Sequence, residues 1–227
     1  MYSLPLFPLD TVLFPGTPIH LYIFEERYKL MIRRVMEQDS RFGVVLIQNG
    51  MEALGPIAEP HKVGCSAKII EVDPLPDGRM NLVCVGQELF RIREMTHALP
   101  YLVGAVETFI TEQPRTLEIV RGARILTALV MKYLQVVGGV QASDSPEDTD
   151  LKDYMKHLTL PADPTMLLYT ACALLHVPTW EKQALLEMAS IPQLYDTVLR
   201  LYKRELAINA GLMDVTIESS QRSAWLN

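Results

Sequence analysis

Gly64-Cys65-Ser66-Ala67-Lys68 is the stretch whose residue types come nearest to a nucleophilic site. On a β-strand, Ser66 and Lys68 would share one face, as the members of a Ser-Lys catalytic dyad must. Acyl transfer also needs donors for an oxyanion, yet neither a glycine-rich loop nor a Gly-x-Ser-x-Gly turn accompanies the pair. We therefore interpret residues 63–72 as a structural strand, and a hydrolase around Ser66 and Lys68 stays a minor hypothesis.

The other residues that could carry chemistry are scattered along the chain. No two histidines have the one-turn spacing with which a helix presents two imidazoles to zinc; they are His20, His61, His97, His157 and His176. The cysteines form no Cys-x-x-Cys pair and are expected to be buried structural thiols; they are Cys65, Cys84 and Cys172. No Gly-Lys pair is present to build the usual ATP phosphate loop. The sequence thus predicts a protein that is not an enzyme and uses no metal and no cofactor.

The composition excludes several classes of function. The chain has 227 residues, of which 49% are hydrophobic, so it can bury a core. Its formal charge of −6 argues against non-specific binding to a phosphate backbone, which depends on clustered Lys and Arg. No run reaches the roughly 18 apolar residues of a membrane span, and the start does not have the pattern of a signal peptide. We expect a cytoplasmic protein that binds no membrane.

The secondary structure that must position these residues is predicted to change from strands to helices along the chain. Apolar runs separated by Gly and Pro predict short strands in the first half; they cover residues 4–13, 19–23, 43–48, 63–72, 80–85, 89–95 and 102–111. Asp77-Gly78 predicts a hairpin turn. Helical spacing over residues 25–37 predicts one inserted helix, with Glu25 and Glu26 favoured at its amino terminus by the helix dipole. Strands of this number fit a small barrel.

The second half is predicted to be helical. Apolar residues recur every three or four positions from residue 117 to Gly138-Gly139, which is expected to end the first helix. Residues 141–150 are acidic and predict a solvated connection. Helices are then expected to begin at Asp163-Pro164, at Thr179 and at Ser190, the last ending near Ile208. These patterns predict domains at 1–113 and 114–210 and an aperiodic tail at 211–227.

Several motifs in order along the chain carry a family resemblance. They are Leu4-Pro5-Leu6-Phe7-Pro8-Leu9, Phe14-Pro15-Gly16, Phe24-Glu25-Glu26-Arg27-Tyr28, Pro76-Asp77-Gly78 and Lys182-Gln183-Ala184-Leu185-Leu186-Glu187. This series resembles the amino-terminal substrate-recognition domain of Lon proteases, in the form of stand-alone bacterial members without an ATPase or a peptidase domain. The resemblance implies an α+β fold, in which a PUA-like β pseudo-barrel with one inserted helix precedes an all-α helical bundle subdomain.

The resemblance also implies a function, the recognition of unfolded or tagged polypeptides. An adaptor in protein quality control, with a protease or a chaperone as partner, would fit this role. Exposed aromatic side chains suit weak binding of unfolded chains, and we expect the peptide-binding surface to be lined or supported by Phe14, His20, Tyr22, Phe24 and Tyr28. The alternative hypothesis is a small-ligand or RNA sensor that uses the barrel, although nucleic acid is a poor match for the acidic composition.

Overall fold

In the computed structural model, the first half of the chain folds into β-strands with one helix between the second and the third of them. The structure describes residues 1–51, 58–96, 98–109, 116–140 and 160–224. The strands are β1 (Tyr2–Leu9), β2 (Pro18–Ile23), β3 (Arg41–Asn49), β4 (Glu59–Pro60), β5 (Val63–Pro74), β6 (Met80–Thr96) and β7 (Leu102–Thr108), and helix α1 (Glu26–Met36) lies between β2 and β3.

The strand pairings form a closed circuit. The order β1-β7-β6-β5-β3 is antiparallel at each step, and β3 pairs with β1 in parallel, with Leu6 opposite Gly43 and Leu9 opposite Leu46. β2 lies off this circuit and pairs with the first part of β6. The ring encloses an apolar core that includes Leu4, Leu6, Val45, Phe90, Ile92, Leu102 and Val106. This architecture of strands plus helices agrees with the predicted α+β class.

Helix α1 forms where the sequence predicts it. Its apolar residues at helical spacing are buried; they are Tyr28, Met31, Ile32 and Val35. Glu25 occupies the N-cap position and Glu26 the first turn, so the prediction of a carboxylate pair at a helix start is confirmed. Arg27 forms an ion pair with Glu25 at 2.9 Å. Glu25 and Glu26 therefore have a structural role at the start of α1.

Four further helices follow in the described chain. They are α2 (Thr116–Val140), α3 (Pro164–Leu174), α4 (Thr179–Leu186) and α5 (Ile191–Ala224). Asp163 caps α3 as predicted, because its carboxylate accepts a hydrogen bond from the Met166 amide at 2.8 Å. Helix α4 begins at Thr179, as predicted, and its N-cap position belongs to Pro178, which makes no side-chain hydrogen bond there.

The chain divides into two compact units. One comprises Met1–Gln113 with Cys172–Ile191, and the other comprises Pro114–Ala171 with Pro192–Asn227. The predicted domains at 1–113, 114–210 and 211–227 stay a prediction. That prediction places α4 in the second domain, whereas the division above groups Cys172–Ile191 with the strands. The acidic connection predicted at 141–150 lies outside the described residues.

Helix α4 is attached to the strands of the first unit by a buried amide. The Gln183 side chain, 2% exposed, donates hydrogen bonds to the Val63 carbonyl at 3.0 Å and to the Glu187 carboxylate at 2.8 Å. Glu187 in turn lies 3.5 Å from His61 Nδ1. Lys182 donates to the Ala173 carbonyl at 2.8 Å, and burial lowers the pKa of its ammonium group.

β6 and α5 extend well beyond their predicted lengths. β6 is a single strand of 17 residues where two strands were expected on either side of Gly86. α5 continues to Ala224, past the predicted end near Ile208. An internal glycine costs a helix only about 1 kcal/mol relative to alanine, so Gly211 does not suffice to end α5. Within the described residues, no helix combines the length and the apolarity that crossing a membrane requires.

Candidate functional site

The turn before β2 is fixed against β6 by backbone contacts at Gly86. The Gly16 amide donates to the Gly86 carbonyl at 2.9 Å, and the Gly86 amide donates to the Thr17 carbonyl at 3.0 Å. The Thr17 hydroxyl closes the turn by donating to the Phe14 carbonyl at 2.7 Å. A Cβ atom at Gly86 would lie 2.2 Å from that same carbonyl oxygen, so only glycine allows this approach. The position of β2 therefore depends on Gly86.

β2 presents one row of side chains to the outside and has one strand partner among the described strands, β6. Ile23 is buried on its inner face, whereas His20 and Tyr22 are exposed on the outer face, as the alternation of a strand requires. The opposite edge of β2 therefore has no strand against it in the described part of the chain. Such an edge offers backbone donors and acceptors to an added extended segment.

Two aromatic side chains stack on this exposed face. Tyr22 is 46% exposed and Phe24 is 40% exposed, and their ring centroids lie 5.8 Å apart at an interplanar angle of 29°. The Arg79 guanidinium lies 5.6 Å from the centre of the Tyr22 ring and donates a hydrogen bond to its hydroxyl. The cation thus holds the Tyr22 ring in place while much of both rings stays accessible.

The hairpin between β5 and β6 positions Arg79, and the predicted turn at Asp77-Gly78 is confirmed. Gly78 has a φ of 76°, and its amide donates to the Leu75 carbonyl at 3.0 Å. Asp77 is ion-paired with Arg79. The hydrogen bond from Arg79 lowers the pKa of the Asp77 carboxyl, so the pair persists as ions. The turn residues therefore support the aromatic pair from the neighbouring strand.

A cleft of about 290 Å³ lies beside the aromatic pair, on the outer face of β2, β6 and β5. Two rows of cross-strand neighbours form its floor. One row is Tyr22, Asn81 and Asp73, and the other is His20, Val83 and Glu71. The Asn81 amide donates to the Asp73 carboxylate at 3.3 Å. Leu21 and Leu82 complete the lining. We define these eight residues together with Phe24 and Arg79 as the β2 face.

The β2 face contains three of the five residues that the sequence suggested for a peptide-binding surface. His20, Tyr22 and Phe24 are exposed there. Phe14 is fully buried, and Tyr28 is 6% exposed and packs with its ring centroid 4.2 Å from that of Phe7. These two residues can therefore support the face only from within the core.

The residues that sequence reasoning missed come from β5 and β6. Glu71 and Asp73 alternate outward near the end of a predicted strand, and Asn81 and Arg79 follow the predicted turn. That alternation places the two carboxylates on one face, but the strand that lies beside them depends on non-local pairing. The local sequence therefore does not show that Glu71 and Asp73 share a face with Tyr22.

The nucleophile hypothesis is not supported by the geometry around Ser66. The side chain is buried, and its hydroxyl donates to the Glu88 carbonyl at 3.2 Å and accepts from the Glu88 amide at 3.1 Å. The pairing of β5 with β6 shifts register between Cys65 and Ala67, and Lys68 is exposed while Ser66 is not. Ser66 therefore stabilises a bulge in the strand pair.

The cysteines are buried thiols, as the sequence predicts. Burial raises the pKa of the Cys84 thiol to about 12 and raises the pKa values of Cys65 and Cys172 as well, which keeps all three as unreactive thiols. Over the ranges that the structure describes, no three His, Cys, Asp or Glu side chains converge in a way that could hold a metal ion.

Similarity to known proteins extends over most of the chain. Residues 3–204 match the family model described as the ATP-dependent protease La (LON) substrate-binding domain. Lon protease of Xanthomonas oryzae pv. oryzae is 26% identical over 236 residues, which cover 99% of this chain and 26% of that protein. Lon protease 1 of Hydrogenovibrio crunogenus is 22% identical over 224 residues, covering 96% of this chain and likewise 26% of that protein. The chain thus spans about a quarter of the length of these relatives.

Two solved structures share the fold. The Lon N-terminal domain protein from Xanthomonas campestris aligns with a TM-score of 0.61 at 24% identity, over 88% of this chain and 98% of that one. The N-terminal domain of Mycobacterium avium complex Lon protease aligns with a TM-score of 0.56 at 20% identity, over 89% of this chain and 98% of that one. The match of the family model across residues 3–204 is consistent with the order of the predicted motifs. The chain belongs to the LON substrate-binding domain family.

Proposed function

We propose that this protein is a non-catalytic module that binds unfolded or tagged polypeptides on the β2 face. The observation that carries the proposal is the stacked and exposed pair of Tyr22 and Phe24, held by Arg79 on a strand that has no second strand partner among the described residues. Membership of the substrate-binding family supports a polypeptide as the ligand. An adaptor that serves a protease or a chaperone in the cytoplasm is the cellular role that fits this activity best.

The energetics of the aromatic pair suit weak and broad recognition. Burying one large apolar side chain contributes about 1.5–3 kcal/mol, and rings that are already stacked lose little conformational freedom on binding. An extended segment could add to the free edge of β2 through backbone hydrogen bonds, which do not depend on the sequence of the segment. The affinity would then come from backbone hydrogen bonds and from burial of apolar surface on the two rings.

The proposed fold of the first unit is a PUA-like pseudo-barrel, and its core would support the site. Phe14 and Tyr28 would act beneath the surface, where Phe14 anchors the turn before β2 and Tyr28 holds α1 against β1. Phosphate-bearing ligands such as RNA are disfavoured by Glu71 and Asp73 in the cleft. A polypeptide is therefore the better candidate than the RNA or small-ligand sensor that the sequence left open.

The test compares two aromatic surfaces of the same unit. We expect Tyr22→Ala combined with Phe24→Ala to weaken binding of a permanently unfolded, fluorescently labelled protein by about tenfold or more, which corresponds to about 1.4 kcal/mol. Trp180→Ala removes an aromatic side chain that is 68% exposed on α4 and serves as the matched control.

Fluorescence anisotropy gives the dissociation constants, and thermal melts check that each variant is folded. Because both substituted rings lie at the surface and outside the buried core, the double variant should melt close to the wild-type temperature. Unchanged binding by the double variant, or an equal loss in Trp180→Ala, would exclude the β2 face as the binding surface. Retention of RNA instead of polypeptide would exclude the function itself.

A further inference from the structure

We propose that the cleft of the β2 face selects a basic side chain, so that the preferred ligand is a polypeptide segment in which a lysine or arginine adjoins an aromatic residue. This inference rests on the proposed function and adds the chemistry of the ligand. Tyr22 belongs both to the aromatic pair and to the cleft lining. Two neighbouring residues of the ligand would therefore bind here, the aromatic one on the rings and the basic one in the cleft.

The shape and lining of the cleft match a long side chain with a charged end. The cleft has a volume of about 290 Å³, and its apolar wall comes from Val83 and the Tyr22 ring. Lys and Arg lay their aliphatic stems along such walls while the charged group reaches water or a carboxylate. A short polar side chain would leave the apolar wall uncovered.

The charged side chains of the cleft determine which charge on a ligand is favoured. Glu71 and Asp73 are exposed on the outer face of β5, two positions apart, and both line the cleft. The Asn81 amide donates to one oxygen of Asp73, which orients the carboxylate and leaves its other oxygen able to accept from a ligand cation. Arg79 reaches Tyr22 from the turn, but its charge is balanced by Asp77. The lining therefore favours a cation over an anion.

The test uses two peptides that differ by one charge. Both contain an aromatic residue, which is followed by lysine in one peptide and by acetyl-lysine in the other. Binding to the full chain is measured by anisotropy at pH 8, well above the ordinary titration range of histidine, for the wild type and for Glu71→Gln combined with Asp73→Asn. Glu94→Gln removes an exposed carboxylate from the part of β6 that pairs with β7 and is the control.

The wild type should bind the lysine peptide about threefold to tenfold more tightly than the acetylated peptide, since exposed ion pairs have modest strength. This preference should shrink in 0.5 M salt and should disappear in the double variant, while Glu94→Gln retains it. Glu94→Gln should bind both peptides as the wild type does.

Equal binding of the two peptides by the wild type would overturn the inference, as would a preference that survives in the double variant. If both peptides bind equally and Tyr22→Ala weakens both, the proposed function stands and the inference fails. If neither peptide binds, both fail. Self-association of the chain through β2, detected by sedimentation and abolished by Tyr22→Ala, would assign the face to a second copy and would also overturn the inference.

Discussion

At the scale of single residues, the candidate site depends on glycine as much as on the side chains that would touch a ligand. Gly86 lets the turn between Phe14 and Thr17 approach β6 closely enough to exchange two backbone hydrogen bonds. The sequence predicts a break between two strands at Gly86, whereas the structure places this glycine inside β6. A glycine within a strand often marks a close approach of another backbone, but the sequence does not show which segment approaches.

Gly86→Ala should destabilise the protein more than Gly104→Ala. The added methyl at Gly86 meets the Phe14 carbonyl oxygen at 2.2 Å, and backbone cannot move aside cheaply, whereas the methyl at Gly104 meets a Leu6 side-chain carbon at 3.0 Å. Overpacking of this kind costs on the order of 1–3 kcal/mol, and we expect Gly86→Ala to lie at the upper end.

Urea unfolding of the two variants measures this difference in the free energy of unfolding. Since Gly86 fixes the position of β2, Gly86→Ala should also weaken polypeptide binding under conditions where the variant is still folded. Equal stability of the two variants would mean that the turn does not pack on β6 in the way described.

At the scale of elements, local chemistry was predictable and pairing was not. The hairpin follows from the turn residues Asp77-Gly78, and the cap at Asp163 follows from its capping residue. Helix α1 follows from the spacing of its apolar residues. The single long β6 was missed because Gly86 resembles a break, although it is the contact point for the turn before β2. The parallel pairing of β1 with β3 has no local signature, since its residues are more than 30 positions apart.

The placement of α4 was also beyond the sequence. Its Lys-Gln-x-Leu-Leu-Glu motif was assigned to the helical half, yet Gln183 hydrogen-bonds to the start of β5. The local sequence does not reveal the hydrogen-bond partner of a buried glutamine. The role of Gln183 as a tether between α4 and the strands emerges from the geometry.

Gln183→Ala should lower the free energy of unfolding by about 1–3 kcal/mol, because the Val63 carbonyl and the Glu187 carboxylate both lose a buried donor. Gln193→Ala changes an exposed glutamine near the start of another helix and should have little effect. Chemical denaturation gives both values. A cost for Gln183→Ala no greater than that for Gln193→Ala would show that the amide does not fasten α4.

At the scale of the whole molecule, the family and the general α+β architecture could be predicted because ordered motifs and a change from strand to helical periodicity run along the chain. The candidate site could be predicted only in part. Tyr22, His20 and Phe24 stand in one short stretch, so they are visible together, whereas Glu71, Asp73 and Arg79 join them through the register of three strands. A binding face assembled across strands requires the fold.

The most direct test of the central claim is site-specific photo-crosslinking to an unfolded polypeptide. A photoreactive phenylalanine analogue placed at Tyr22 should give adducts with a labelled unfolded protein, and excess unlabelled polypeptide should suppress them. The same analogue at Trp180, which is more exposed than Tyr22, should give few adducts. Efficient crosslinking at position 180 with none at position 22 would contradict the assignment of polypeptide binding to the β2 face.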